Sequence, residues 1–205
     1  MVAERYRIMV NLSLKGIICF FALAIFAGSC TSLNQIGGNH KSQQTLEKEK
    51  NEALIKKYED LIGKKISKRK SLPLYRSVDN WMGVPYHYGS MAKNGTDCSG
   101  FVCSIYKEVY KLNLDRSAEE QYQKDVRRIR KYRLKEGDLV FFETIKGNKA
   151  SHVGIYLGNH KFVHASVKKG VCIDDMTQKY YVDHFTRAGR VQKMKLKAAL
   201  IVNGV

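Results

Sequence analysis

A cysteine stands directly before an apolar run in the stretch Asp97-Cys98-Ser99-Gly100-Phe101-Val102. Apolar side chains continue at helical spacing as far as Val109, and this spacing predicts a helix. Asp97 is a favourable N-cap residue, which places Cys98 in the first helical turn. A thiol there lies at the positive end of the helix dipole, so we expect its pKa to fall. A buried structural cysteine is the alternative interpretation.

Two histidines follow on short β-rich segments, residues 153–157 and 161–165, joined by a hairpin signature at residues 158–160. A two-residue loop would leave His152 and His164 on opposite faces of the hairpin, because side chains alternate along a strand. A three-residue loop would place them diagonally on the same face, about 7–8 Å apart at the backbone. The same-face register is therefore available to this sequence.

One thiol followed by two imidazoles is the residue set of a cysteine hydrolase. The thiolate attacks, one histidine takes the thiol proton, and a third polar group holds that histidine in the required tautomer. A zinc site built from Cys98, His152 and His164 is a second interpretation, although the clustered His/Cys spacings typical of metal sites are missing.

Further motifs occur in a fixed order between about residue 72 and residue 191. They are Trp81-Met82-Gly83-Val84-Pro85-Tyr86-His87-Tyr88-Gly89, Gly95-Thr96-Asp97-Cys98-Ser99-Gly100-Phe101-Val102, Arg116-Ser117, Glu136-Gly137-Asp138-Leu139-Val140-Phe141-Phe142, His152-Val153-Gly154-Ile155-Tyr156-Leu157-Gly158 and Phe162-Val163-His164-Ala165-Ser166. With these motifs the chain resembles the NlpC/P60 family of cell-wall cysteine peptidases, and particularly the small lipoprotein murein endopeptidases of Gram-negative bacteria. Asp115 departs from the family pattern, in which a proline usually precedes Arg-Ser.

The resemblance implies an α+β, papain-like fold in which the nucleophile helix packs on a small antiparallel β-sheet. It assigns Cys98 as the nucleophile, His152 as the general base and His164 as the orienting residue, with Tyr86 near the oxyanion. Tyr86, Asp97 and Ser99 are the polar groups beside the thiol that could bind a free amino group of the substrate.

The implied activity is hydrolysis of peptide bonds in peptidoglycan stem peptides or cross-links through an acyl-thioester, by a monomer without cofactor or metal. Cleavage of the cross-link is favoured over cleavage after γ-D-glutamyl. A non-catalytic wall-binding lipoprotein is the alternative, but the intact Cys98, His152 and His164 argue against it.

The N-terminus predicts export. Residues 17–27 form an apolar run of eleven residues, which suits a signal peptide and is too short to cross a bilayer. Small residues precede Cys30, so we expect residues 1–29 to be removed at a lipobox and Cys30 to be lipidated, although Ala27 departs from the usual leucine. Plain cleavage or an uncleaved anchor are the alternatives. A lipid-anchored location in the cell envelope follows, at the outer membrane facing the periplasm.

Composition divides the rest of the chain into a tether at 31–69, a catalytic domain at 70–193 and a tail at 194–205. Within the tether, residues 31–42 are predicted to be flexible, residues 46–66 to form a charged amphipathic helix, and residues 64–70 to be a solvated basic linker. That helix could lie on the domain or act as a spacer. In the domain we expect a helix at 118–124 and strands at 138–142, 153–157, 161–165, 170–174 and 189–191.

The formal net charge is +17. Nucleic acid is the usual partner of so basic a chain, but an exported protein without a nucleic-acid-binding motif is better matched to peptidoglycan and anionic lipid headgroups. Of the five cysteines, Cys19 lies in the predicted signal peptide, so Cys103 and Cys172 remain after the nucleophile and the lipobox are assigned. They could form a disulfide in an oxidising compartment, or stay as two buried thiols.

Overall fold

The computed structural model of the protein describes residues 33–192. The predicted signal peptide, Cys30 and the tail at 194–205 therefore lie outside the described residues. The helices are α1 (Leu33–Ile62), α2 (Lys68–Trp81), α3 (Cys98–Ile105), α4 (Ala118–Glu120) and α5 (Lys179–His184). The π-helical turns Tyr106–Tyr110 and Gln121–Asp125 extend α3 and α4, and Lys131–Arg133 forms a 3-10 turn. None of the helices within residues 33–192 is long and apolar enough to span a bilayer.

The strands form a short hairpin and a six-stranded antiparallel sheet. The hairpin pairs β1 (Met91–Ala92) with β2 (Gly95–Thr96). The sheet contains β3 (Val126–Ile129), β4 (Leu139–Phe142), β5 (His152–Gly158), β6 (Lys161–Ser166), β7 (Gly170–Asp175) and β8 (Phe185–Val191), in the order β3-β8-β4-β5-β6-β7. The predicted α+β fold with an antiparallel sheet is confirmed, and the sheet gains β3, which the sequence did not indicate.

Helix α3, which begins at Cys98, packs on the two strands that carry His152 and His164. Phe101, Val102 and Ile105 of α3 are fully buried in the main apolar core. Most of the contacts between α3 and the sheet fall on β5 and β6. Burial of this apolar face positions the N-terminus of α3, and with it Cys98, at the edge of the hairpin.

The β5–β6 hairpin reaches the same-face register by a route that differs from the predicted loop. Asn159 and His160 form a two-residue turn with φ of 44° and 64°, and Gly158 pairs with Lys161. The register then shifts between this pair and the pair Tyr156–Phe162, because Leu157 is an extra residue in β5. The loop therefore has the two-residue form, while the bulge gives the same-face register that the three-residue alternative offered.

The C-terminal turns of helix α1 pack on the domain rather than acting only as a spacer. Its residues Ile55, Tyr58 and Ile62 are buried in the main core, and the amide of Asn159 in the hairpin turn donates to the Ile62 carbonyl at 2.8 Å. The helix begins at Leu33, so the segment predicted to be flexible is helical from that residue. The predicted basic linker also ends early, since α2 begins at Lys68.

Candidate active site

The thiol side of the site is organised by the cap of α3. Cys98 is the first residue of the helix, and Asp97 is its N-cap, with Oδ1 accepting from the Gly100 N–H at 2.7 Å. The cap requires glycine at position 100, because a Cβ there would lie 2.4 Å from the Ser90 carbonyl oxygen. The predicted helix start and cap are confirmed.

The Asp97 carboxylate is fully occupied by structural contacts. Oδ1 accepts from the Gly100 N–H, the Ser99 hydroxyl and Arg116, while Oδ2 accepts from the Gly89 N–H and Arg116. A carboxylate offers about four acceptor positions, so five hydrogen bonds leave none for a ligand. Burial opposes ionisation, but the bonds from Arg116 and Gly100 hold the pKa of Asp97 below its ordinary value. Asp97 is thus a capping residue, and the Ser99 hydroxyl is held between it and Arg116.

The predicted fall in the pKa of Cys98 is wrong. Its side chain is only 6 % exposed, and this burial raises the pKa of the thiol to about 11. Backbone N–H groups of Val153, Ser99 and Cys98 itself oppose the shift without overcoming it. The helix N-terminus supplies two of these donors and β5 the third, yet desolvation of the charged form is the larger effect. The resting thiol is therefore neutral, and a base must remove its proton.

Tyr86 lies beside the thiol, as the resemblance implied. It pairs with Thr96 across an isolated bridge next to the short hairpin and is partly buried against the core. Burial and the neighbouring Cys98 raise the pKa of Tyr86 to about 12. Its phenol thus stays protonated near neutral pH and can donate a hydrogen bond to an oxyanion.

The two histidines are in direct contact. His152 Nε2 lies 2.8 Å from His164 Nδ1, with the rings close to perpendicular. Phe162 stacks on the His164 ring at 4.8 Å and fixes its plane. A Cβ on Gly154 would lie 3.1 Å from the His164 Cβ, so glycine there lets the strands carry both rings side by side. Burial and His164 lower the pKa of His152 to about 3, which keeps its imidazole neutral.

Beyond His164 lies a polar cluster that the sequence pattern did not indicate. His164 Nε2 is 3.1 Å from Asp174 Oδ2, which also accepts from the Tyr181 hydroxyl at 2.6 Å. Lys169 donates to Asp174 Oδ1 at 2.9 Å. Hydrogen bonds from His164, Tyr181 and Lys169 outweigh burial and hold the pKa of Asp174 well below its ordinary range. The ionised carboxylate of Asp174 therefore contacts His164 at Nε2, the ring nitrogen that does not face His152.

A register argument could have found Asp174. In β6–β7, His164 is paired with Cys172. A residue two positions further along β7 shares the face of Cys172 and lies diagonally opposite His164. The predicted strands 161–165 and 170–174 include both residues, but their register depends on the form of the turn that connects them, which the residue pattern alone leaves open.

These contacts determine the tautomers of both rings. Ionised Asp174 only accepts hydrogen bonds, so the single-proton form of the His164 ring that pairs with it carries that proton on Nε2 and presents Nδ1 as an acceptor. His152 Nε2 must then donate to His164, which leaves the lone pair of His152 on Nδ1. A base with its lone pair directed away from the second histidine is the form needed to accept a thiol proton.

The two remaining cysteines of the described domain are unpaired thiols, so the disulfide alternative is excluded. Cys103 is buried on α3, where its sulfur accepts from the Gln121 amide at 3.3 Å, and Cys172 is partly exposed on β7.

Near position 115 the departure from the family pattern has a structural reason. The Asp115 N–H donates to Asp125 Oδ2 at 2.7 Å, a bond that a proline could not make.

The zinc site considered for Cys98, His152 and His164 is not formed. In residues 33–192, the group of three His, Cys, Asp or Glu side chains whose ligand atoms lie within 4.8 Å of one another is His164, Cys172 and Asp174. Cys98 and His152 do not belong to it. A buried thiol at a helix start, next to a chain of two histidines on an antiparallel sheet, instead defines a cysteine hydrolase.

Comparison with known proteins gives the same class. The model described as NlpC/P60 family matches residues 83–190, and the chain belongs to this family. A probable endopeptidase NlpC homolog of Haemophilus influenzae is 35 % identical over 190 residues, covering 87 % of this chain and 99 % of that protein. The murein DD-endopeptidase MepS/murein LD-carboxypeptidase of Escherichia coli K12 is 34 % identical over 180 residues, covering 87 % and 92 %.

Solved structures agree on the fold. A lipoprotein-like NLP/P60 family protein of Staphylococcus aureus matches with a TM-score of 0.55 and 29 % identity, over 62 % of this chain and 42 % of that one. The NlpC/p60 domain of the peptidoglycan hydrolase SagA matches with a TM-score of 0.50 and 25 % identity, over 58 % and 97 %.

Proposed function

We propose that the protein is a murein endopeptidase in which Cys98 is the nucleophile, His152 the general base and His164 the orienting residue. The observation that supports this most directly is the 2.8 Å contact between His152 Nε2 and His164 Nδ1, which leaves the His152 lone pair for the thiol. The two nearly full-length relatives are named endopeptidases, one of them a murein DD-endopeptidase.

The reaction begins with proton transfer from the Cys98 thiol to His152 Nδ1. The sulfur attacks the scissile carbonyl, and the oxyanion that forms accepts hydrogen bonds from the Cys98 N–H and the Tyr86 hydroxyl. His152 is then an imidazolium, whose charge is stabilised by His164 with the carboxylate of Asp174 behind it. Its proton passes to the leaving amine, and the carbonyl carbon stays bound to sulfur as an acyl-thioester.

Hydrolysis returns the enzyme to its starting state. His152, neutral again after losing its proton to the amine, takes a proton from water at Nδ1, and the hydroxide attacks the thioester. The carbon–sulfur bond breaks, the sulfur recovers the proton from His152, and the second product leaves as a carboxylic acid. The chain of His152, His164 and Asp174 keeps one ring orientation throughout.

We propose the D-alanyl cross-link as the bond that is cut, rather than the bond after γ-D-glutamyl. The name of the Escherichia coli relative specifies a DD-endopeptidase. Asp97 was a candidate acceptor for a free amino group, but Arg116 and backbone donors occupy its carboxylate, and its side chain is buried. Tyr86 is therefore the better candidate for contact with substrate among Tyr86, Asp97 and Ser99.

We also propose that the enzyme works as a monomer anchored by lipid at Cys30, at the outer membrane facing the periplasm. Small residues before Cys30 and the apolar run at 17–27 support this placement. A multiply acylated cysteine binds a bilayer firmly, so Cys30→Ala is expected to move the protein from the membrane fraction to the soluble one. Retention after a high-salt wash would instead indicate an uncleaved anchor.

The test of the activity is digestion of purified sacculi, followed by mass spectrometry of the released fragments. Cross-link cleavage yields monomeric muropeptides with intact tetrapeptide stems, whereas γ-D-glutamyl cleavage leaves L-Ala-D-Glu dipeptide stems. Cys98→Ala is expected to release essentially nothing, and Cys103→Ala, which removes the other buried thiol of the same helix, should release fragments normally. Activity of Cys98→Ala within about tenfold of wild type would contradict the nucleophile assignment.

A further inference from the structure

Three side chains of different chemistry converge behind the orienting histidine. Cys172 Sγ lies 3.6 Å from His164 Nε2 and 3.9 Å from Asp174 Oδ2, and those two atoms are 3.1 Å apart. Tetrahedral zinc has bonds of about 2.0–2.3 Å, which separate neighbouring ligand atoms by about 3.3–3.7 Å. The observed triangle therefore admits one zinc ion in contact with all three atoms after shifts of a few tenths of an ångström.

We propose that His164, Cys172 and Asp174 form an inhibitory Zn²⁺ site that switches the catalytic chain off. Sulfur, imidazole nitrogen and carboxylate oxygen are the three ligand types that zinc takes in proteins, and a thiolate disfavours the competing hard cations Mg²⁺ and Ca²⁺. Water would complete the tetrahedron.

The surroundings of the three ligands suit an ion. Tyr181 donates to Asp174 Oδ2 and Lys169 to Oδ1, so both oxygens keep their orientation while Oδ2 offers a further lone pair. Cys172 is partly exposed, and the Lys169 side chain is 59 % exposed. An ion can thus reach the ligands from solvent on the β7 side without passing the catalytic thiol.

Zinc at this site would reverse both tautomers. A bond to His164 Nε2 requires the lone pair there, so the His164 proton moves to Nδ1 and is donated to His152 Nε2. His152 must then carry its own proton on Nδ1, the atom that the proposed mechanism assigns to the thiol proton, so it can no longer accept a proton from Cys98. The proton from Cys172 is released to solvent as its thiolate binds the ion.

Binding is tested with Co²⁺, a spectroscopic substitute for Zn²⁺, in the full chain carrying Cys98→Ala, which removes the catalytic thiol as a competing ligand. We expect one Co²⁺ per chain, displaced by Zn²⁺, with a thiolate-to-cobalt charge-transfer band. Adding Cys172→Ala should abolish the band, whereas adding Cys103→Ala, the matched buried thiol, should preserve it. A band that persists without Cys172, or no saturable binding, would overturn the site.

Asp174→Asn provides a second variant in case Cys172→Ala fails to fold, which circular dichroism would reveal. It keeps the size of the side chain and should weaken Co²⁺ binding at least about tenfold, in line with the loss of one anionic ligand. Unchanged Co²⁺ affinity in a folded Asp174→Asn protein would also contradict the proposal.

The inhibitory half of the proposal rests on the proposed peptidase activity, whereas Co²⁺ binding does not, so the two can fail separately. Each variant is compared with its own metal-free rate on sacculi. Saturating Zn²⁺ should slow the wild-type chain at least about tenfold and leave the Cys172→Ala rate unchanged. Equal inhibition of both would place the effect of zinc at Cys98 and overturn the assignment of the switch.

Discussion

Cys98 and Asp174, the two ends of the proposed series Cys98, His152, His164 and Asp174, differ in charge. At the thiol end the reacting group itself is neutral, since burial raises the pKa of Cys98 to about 11 and only backbone N–H groups oppose this. The far end is charged, with Asp174 held ionised by Lys169, Tyr181 and His164. In the proposed mechanism the enzyme therefore holds no reactive thiolate at rest. It holds the proposed base, His152, in a fixed orientation that is imposed from the side of His164.

The base should matter most if this comparison is correct. His152→Ala removes the group that takes the thiol proton and leaves a thiol that is neutral near pH 7. We expect a loss in kcat/KM of at least about a thousandfold, comparable to that of Cys98→Ala, because members of such a set act as a unit. Hydrolysis of a cross-linked muropeptide measures it. A loss below about thirtyfold would mean that the thiol activates itself.

The protonation state of the resting thiol can be measured directly by alkylation. With a pKa of about 11, the thiolate fraction of Cys98 rises about tenfold per pH unit, so labelling by iodoacetamide should quicken about a hundredfold from pH 7 to pH 9. Mass spectrometry of the Cys98 peptide follows the rate. A flat rate between pH 6 and pH 8 would reveal a preformed thiolate–imidazolium pair and remove the contrast between the two ends.

Substitutions of His164 separate orientation from other roles. Asn places an amide oxygen near the position of His164 Nδ1 and can still accept from His152, whereas Ala leaves His152 Nε2 without its acceptor. We expect a loss in kcat of about a hundredfold for His164→Ala and about tenfold for His164→Asn. Equal losses in the two variants, measured on the same muropeptide, would show that His164 does more than orient the base.

Asp174 should show the smallest effect, because it acts through His164. Asp174→Asn keeps an acceptor but removes the charge that stabilises the imidazolium, so we expect kcat to fall about tenfold with KM nearly unchanged. Asp175→Asn is the matched control, since Asp175 is its neighbour on β7 but pairs with Lys161 and Thr177. Similar losses of kcat in the two variants would indicate that Asp174 has only a structural role.

The sequence predicted the thiol side better than the charged side, for physical reasons. Asp97, Cys98 and the apolar run of α3 are adjacent in the chain, so capping and helical spacing were sufficient to place them. The pKa of Cys98 could not be judged in the same way, because burial depends on what β5 and β6 place over the helix. Asp174 was missed because its role depends on a strand register, which is a contact between distant residues.

Helix α2 was missed for a local reason. Pro73 lies inside it, and a run of Lys and Arg extends into its first turn. Both features are typical of a linker. Burial of Leu74, Tyr75 and Val78 against the core overrides them. Tertiary packing of this kind is invisible to propensity within a short window.

Because of the bulge at Leu157, the relative orientation of His152 and His164 depends on whether the number of residues between them is odd or even. A two-residue turn alone would put His152 and His164 on opposite faces of the sheet, and the single extra residue restores them to one face. Insertions or deletions in this hairpin therefore keep both histidines on one face only if they add or remove two residues, or if a bulge is gained or lost together with the turn. The length of the turn is thus constrained by the orientation of the two histidines, even though the turn lies at the end of the strands opposite His152.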